Sequence, residues 1–224
     1  MLKIYGAPIS VHARRALVAA RMKGIDFENV PVVPFDPPEG WRELSPTGRI
    51  PVLDHDGFRI GDSSVICAYL DRIGTGPSLY PADPKGFAKA AWLERYASDC
   101  LCDEVVGPLL TELLIKPKLL QAGEPDPAVV QAAREAALPR VFAYLNGQVE
   151  APFFAGDDVS IADLAVASYL VSYRYLGFEI DAARYPKLAR AFERTVAAPA
   201  FQAALEAEQP LRTQLGLDGA SLAA

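Results

Sequence analysis

Residues 44–70 read LSPTGRIPVLDHDGFRIGDSSVICAYL, and they spell out a loop, a short strand, a tight turn, a returning strand and a capped helix in that order. Ile50-Pro51-Val52-Leu53 is an apolar run with proline second. Proline has no N–H for a sheet ladder, so it belongs at a strand's start or edge. His55-Asp56-Gly57 places an Asp-Gly turn signal between two apolar runs, which predicts a hairpin returning through Phe58-Arg59-Ile60. Asp62 or Ser63 then caps a helix with apolar residues at Val65, Ile66, Tyr69, Leu70 and Ile73. An unpaired strand edge hydrogen-bonds an extended peptide, and a helix N-terminus offers free N–H groups to a carboxylate. The stretch therefore describes a seat for a small peptide bearing carboxylates.

The flanking sequence completes an α/β unit. Leu2–Tyr5 reads as a strand broken by Gly6-Ala7-Pro8, and Ser10 precedes a helical pattern from Val11 to Lys23 that Gly24 stops. Arg14 and Arg15 are expected off its apolar face. Residues 25–33 hold a second strand, which a right-handed crossover makes parallel to the first. Residues 31–40 are Pro-rich and irregular, and Trp41–Leu44 forms one helical turn. The order is β-α-β-β-α.

Gly and Pro crowd residues 74–86, and strand signals end there. The expected division is residues 1–77, a linker over 78–86, and an all-α domain over 87–224. Its helices are expected over 85–115 with a kink or break at Pro108, from Asp126-Pro127 to Leu145 with Pro139 disturbing it, after a Ser160–Asp163 capping box, over 185–196, and from Pro199 to Ala207. No firm structure is assigned after Pro210.

The chain has 224 residues, 51% hydrophobic and 22% charged, with a net charge of −6. Such acidity disfavours nucleic acid as a partner, because phosphate backbones reward basic patches. No run is long and apolar enough to span a membrane, and no secretory pattern opens the chain, so a cytoplasmic location is expected. Cys67, Cys100 and Cys102 form no disulfide framework, and with only His12 and His55 no metal-ligand spacing exists.

The order Arg-Ile-Pro-Val, hairpin, Asp-Ser, helix resembles the glutathione-binding half of the cytosolic glutathione transferase family. SIADLAVASYL (residues 160–170) resembles that family's helical-domain folding element, and the likeness runs from Lys3 to about Leu205. The resemblance implies a thioredoxin-like α/β N-terminal domain joined to an all-α C-terminal domain. It implies a cis peptide before Pro51, backbone pairing of Ile50 with the cysteinyl part of glutathione, and Asp62 and Ser63 at the γ-glutamyl end. It puts Arg49 near the tripeptide's charged groups. Glutathione is then a co-substrate, with no metal, and a homodimer is implied.

A transferase must ionise a thiol of pKa about 8.5. A hydrogen-bond donor at the start of the first helix, aided by the helix dipole, does this. Tyr5-Gly-Ala-Pro-Ile-Ser10 resembles the serine-type, bacterial-like classes, which makes Ser10 the donor, with Tyr5 the alternative. His12, in the same turn, reads as a partly exposed surface histidine, with a place lining the electrophile pocket as the alternative. A small hydrophobic electrophile is expected against the helical domain, with Tyr96, Cys100, Leu101, Val105, Leu109 and Tyr173 as lining residues or ordinary core. Conjugation, as in detoxification, and ether cleavage, dehalogenation, isomerisation and peroxide reduction all reuse one thiolate. A non-catalytic binding or scaffolding protein on the same fold is the alternative. Glycyl recognition departs from the family pattern, since only Arg42 and Arg49 offer cations before Pro51.

Overall fold

The computed structural model describes residues 1–218. Four strands, β1 (Leu2–Tyr5), β2 (Phe27–Val30), β3 (Val52–His55) and β4 (Phe58–Gly61), form one sheet in the order β2-β1-β3-β4. β1 and β2 are parallel, whereas β1–β3 and β3–β4 are antiparallel. The crossover between β1 and β2 is α1 (Val11–Met22), followed later by α2 (Trp41–Leu44) and α3 (Ser63–Ile73). This is the thioredoxin-like arrangement. Its core joins Leu2, Ile4, Val52 and Leu53 of the sheet to Leu17 of α1 and Ile66 and Leu70 of α3, all buried. Each such side chain contributes roughly 1.5–3 kcal/mol.

The described residues divide into two compact units, Met1–Leu79 with Ala198–Gln209, and Tyr80–Ala197 with residues 210–218. The second is helical. α4 (Pro84–Tyr96) opens on Asp83, whose carboxylate accepts from the Lys85 and Gly86 N–H groups. The helix then runs unbroken through wide turns over Ala97–Val106, α5 (Gly107–Leu110) and wide turns over Thr111–Leu119. α6 (Pro127–Gln131) passes through similar turns over Ala132–Ala137 into α7 (Leu138–Gln148).

Through these wide turns the helix passes Pro108 without a break. Gly107 N–H bonds back to Cys102 O, Leu138 N–H to Ala133 O, and Leu120 N–H to Ile115 O, each five residues back. Pro108, Pro139 and Pro117 lie beside them. Proline lacks an N–H and its ring crowds the carbonyl four residues back, and a wider turn relieves both without ending the helix.

α8 (Ile161–Tyr175) is buried at every residue from Ile161 to Tyr173, as an all-round apolar helix requires. The Ser160–Asp163 capping box is present. α9 (Pro186–Val196) follows. α10 (Pro199–Gln214) continues through Pro210, beyond the expected end at Ala207. Glu206, whose carbonyl would have met the missing N–H, is an exposed residue. The rest of the tail assigned no structure, residues 219–224, lies outside the described residues. Among the described residues no helix is long and apolar enough to cross a membrane.

Candidate functional site at one end of the sheet

Register gathers the sequence-predicted residues. Tyr5 pairs with Val52, and Val52 with Gly61, so the end of β1, the start of β3 and the end of β4 lie in one row. What leaves that row is the Gly6–Ser10 turn, the Ile50–Pro51 peptide and the Asp62–Ser63 start of α3. The approach is close. A Cβ on Gly6 would stand 2.9 Å from Ala13 Cβ, 3.6 Å from Ile50 Cβ and 3.7 Å from Pro51 Cα. Glycine is needed there for lack of space.

Ser10 is the N-cap of α1, at φ −65° and ψ 129°. Its Oγ accepts from Ala13 N–H at 3.5 Å. A hydroxyl that accepts in this way still has its own hydrogen to give. Ser10 N–H donates to Ala7 O at 3.0 Å, which closes the turn.

The Ile50–Pro51 peptide is cis, as the resemblance implies. Ile50 is buried with Ala7, Val32, Trp41 and Val52. The loop before it is braced from behind. Trp41 Nε1 donates to Gly48 O at 3.1 Å, Ser45 Oγ donates to Arg49 O at 2.7 Å, and Arg49 N–H meets Thr47 Oγ1 at 3.3 Å. Arg49 is exposed, and its side chain makes no ion pair among the described residues. Arg42 turns back on its own loop, donating to Pro46 O at 3.2 Å.

Asp62 caps α3, and Oδ1 accepts from Ser64 N–H at 2.8 Å and Val65 N–H at 3.3 Å. Its φ of 68° with ψ 125° sets it apart from Ser10, Asp83, Asp126 and Ser160, which cap from the extended region. A positive φ on a residue with a side chain is a strained choice. Ser63 is buried, and its Oγ accepts from Arg15 Nη2.

Sequence reasoning misplaced two residues. Arg14 and Arg15 are 0% and 2% exposed, because Glu208 and Ser63 receive their guanidinium groups in the interior. His12 is partly exposed, as expected, and stands beside Arg15, Asp62 and Arg49. Burial above all, then the Arg15 and Arg49 charges, push its pKa down to about 4 against a partial pull upward from Asp62, so it is neutral at pH 7. Its position on the first turn, two residues past Ser10, was the only available signal. Trp41 was recognised only as helical, since nothing in a Pro-rich stretch marks it as a brace.

Tyr5 packs its ring 6.3 Å from Trp41 within the same cluster. In the helical unit, Leu101, Val105 and Leu109 are fully buried, which makes them core and not lining. Tyr96 and Tyr173 are also buried, and burial raises both phenols to about 12. Cys100 is half-buried, and burial, then Glu104, raises its thiol. Among the described residues, no group of three or more His, Cys, Asp or Glu side chains is arranged to hold a metal.

A four-stranded thioredoxin-like sheet with a capped site at its end, carried with an all-helical unit, defines the two-part transferase architecture. Residues 4–78 match the model for the glutathione S-transferase N-terminal domain, and residues 119–208 that for its C-terminal domain. Glutathione S-transferase 3 of Zea mays is 31% identical over 90% of this chain and 91% of its own. FtsZ-localized protein A of Caulobacter vibrioides is 29% identical over 76% of each. The crystal structure of a glutathione S-transferase from Rhodospirillum rubrum superposes with a TM-score of 0.83, at 27% identity over 92% of both chains. The chain belongs to the glutathione S-transferase family.

Proposed function

We propose that this protein is a glutathione transferase that binds glutathione at the sheet end and activates its thiol for attack on a small hydrophobic electrophile. The observation that carries the reading is that two helix N-caps open from the same end of the sheet. One has a hydroxyl with a hydrogen to give (Ser10), and the other has an exposed carboxylate on a strained backbone (Asp62). Asp62 accepts the γ-glutamyl amine through the oxygen its cap leaves open, with Ser63 N–H and the α3 N-terminus facing the carboxylate. Ile50 pairs with the cysteinyl backbone beside Pro51, and Arg49 offers a cation to the tripeptide. Ser10 donates to sulfur, and the positive end of α1 favours the thiolate. Tyr5, packed on Trp41, is the weaker donor candidate.

In this reading residues 1–77 form the glutathione domain, 78–86 the linker and 87–224 the electrophile domain. The protein is a cytoplasmic homodimer. The name of one relative, FtsZ-localized protein A, states an association and not a reaction, which supports a second reading as a binding or scaffolding protein.

Titration calorimetry with glutathione near pH 7, alongside thiolate absorbance, tests the proposal. Native protein should bind and show the thiolate signal. Asp62→Ala should weaken binding, and Ser10→Ala should keep binding but lose the signal. Absence of binding at millimolar glutathione would overturn the enzyme reading in favour of the second.

A further inference from the structure

Ser10 lies near the start of the chain, yet its setting reaches nearly to the other end. Arg14, one turn beyond Ser10 on α1, is wholly buried. Its guanidinium meets Glu208 of α10 side-on, with Nε to Oε1 at 2.5 Å and Nη2 to Oε2 at 2.8 Å. Glu208 is itself 0% exposed. A bidentate carboxylate fixes the plane of the guanidinium, and with it the direction of every remaining N–H. The second Nη2 hydrogen donates to Ile9 O at 3.1 Å.

That carbonyl belongs to the peptide linking Ile9 to Ser10. The N–H of the same peptide donates to Ala7 O. Both polar groups of the peptide are therefore held, one by the local turn and one by a buried ion pair. The orientation of this peptide sets the direction in which Ser10 Cα projects its side chain. A buried pair is weak evidence for stability, since apolar pairs of similar volume often serve as well. Its bidentate geometry is better suited to fixing an orientation.

We propose that Glu208 and Arg14 are positioning residues for Ser10: α10 orients the thiol-activating hydroxyl through the Glu208–Arg14–Ile9 carbonyl chain. The inference rests on Ser10 being the donor. Neither residue touches glutathione in this account. They act by keeping Ser10 Oγ within reach of sulfur, and small misplacements of catalytic groups cost up to about 100-fold in rate.

The test uses the whole chain and the double variant Arg14→Met/Glu208→Leu, which removes both charges of the buried pair together. Unfolding and glutathione binding are measured first, then the pKa of the bound thiol by thiolate absorbance, and kcat and KM with an aryl halide. The expected result is a folded protein with KM for glutathione changed less than about twofold, a raised thiol pKa, and kcat lower by about tenfold. In a Ser10→Ala background the same pair of changes should have no further effect on the thiol pKa. If the double variant does not fold, Arg14→Lys replaces it. That change keeps a cation opposite Glu208 but gives up the rigid fork to the Ile9 carbonyl, and the same rise in thiol pKa is expected.

An unchanged thiol pKa and kcat in the folded variant would overturn the proposal while leaving Ser10 in place. A Ser10→Ala protein with a normal bound thiol would overturn the reading beneath it. An equal loss in both Ser10 backgrounds would show that the pair is merely structural.

Discussion

Two helix caps in this protein use nearly the same residues for opposite ends. At α8 the Asp163 carboxylate is buried and fully engaged, with Oδ1 accepting from Phe154 N–H at 3.0 Å and Oδ2 from Ser160 N–H at 2.9 Å and Ser160 Oγ at 2.7 Å. Burial pushes this carboxyl above the usual range against the pull of those donors. At α3 the Asp62 carboxylate is exposed, and its cap bonds use Oδ1 alone. A cap whose acceptors are all spent inside the molecule holds a fold together. One with an open oxygen on a strained backbone has something to offer a ligand.

The sharpest way to break this comparison is Asp163→Ala. It strands three donors, two of them buried backbone N–H groups, and should destabilise by roughly 3–5 kcal/mol in urea unfolding. The protein that remains folded should bind glutathione with native affinity. A variant as stable as the native chain would end the view of α8 as the structural cap.

The next effect concerns His12, beside Asp62. Its folded pKa of about 4 lies below the ordinary 6.5. Between these values the unfolded chain takes up a proton that the folded chain refuses. The stability this residue contributes is whole above pH 6.5 and is lost as pH falls toward 4. Urea unfolding at pH 7 and pH 4.5 should show the native chain losing roughly 2–3 kcal/mol more than His12→Asn, since all carboxylate effects are shared. Equal losses would mean that His12 titrates normally.

Asp62→Asn sharpens the comparison from the ligand side. Asparagine caps a helix and tolerates positive φ, so stability should change by less than about 0.5 kcal/mol. The lost charge should raise the glutathione Kd about tenfold by calorimetry, a weakening of about 1.4 kcal/mol. A stability loss without a change in Kd would make Asp62 a cap like Asp163. The smallest effect is expected at Tyr5, which is packed on Trp41. Tyr5→Phe should alter kcat by less than about twofold, and a larger loss would move the thiol donor from Ser10 to Tyr5.

Much of this was readable from local chemistry. Pro51, Asp56-Gly57 and Asp62 acted within a few residues of where they stand, so the hairpin and the α3 cap follow from turn and cap preferences alone. Ser10 before an alanine-rich helical pattern was legible for the same reason. Arg14 and Arg15 were misjudged because arginine is seldom buried without a partner, and their partners lie 194 and 48 positions away. Pro108 was read as a kink or break and Pro139 as a disturbance, and the helix meets both with hydrogen bonds that reach five residues back, which a rule about four-residue hydrogen bonds does not anticipate.

By itself, then, the sequence determined the elements, their order, and which residues stand at helix starts and strand edges, because those depend on backbone sterics and short-range hydrogen bonds. Tertiary structure alone decided which of them meet. Strand register brought Ser10, Pro51 and Asp62 to one end of the sheet. Burial left His12 neutral and made Asp163 a spent cap where Asp62 stays open. Glu208 came to stand behind Arg14 because a buried cation needs a counter-charge or hydrogen-bond acceptors around it, and neither local propensity nor spacing specifies where along the chain these lie.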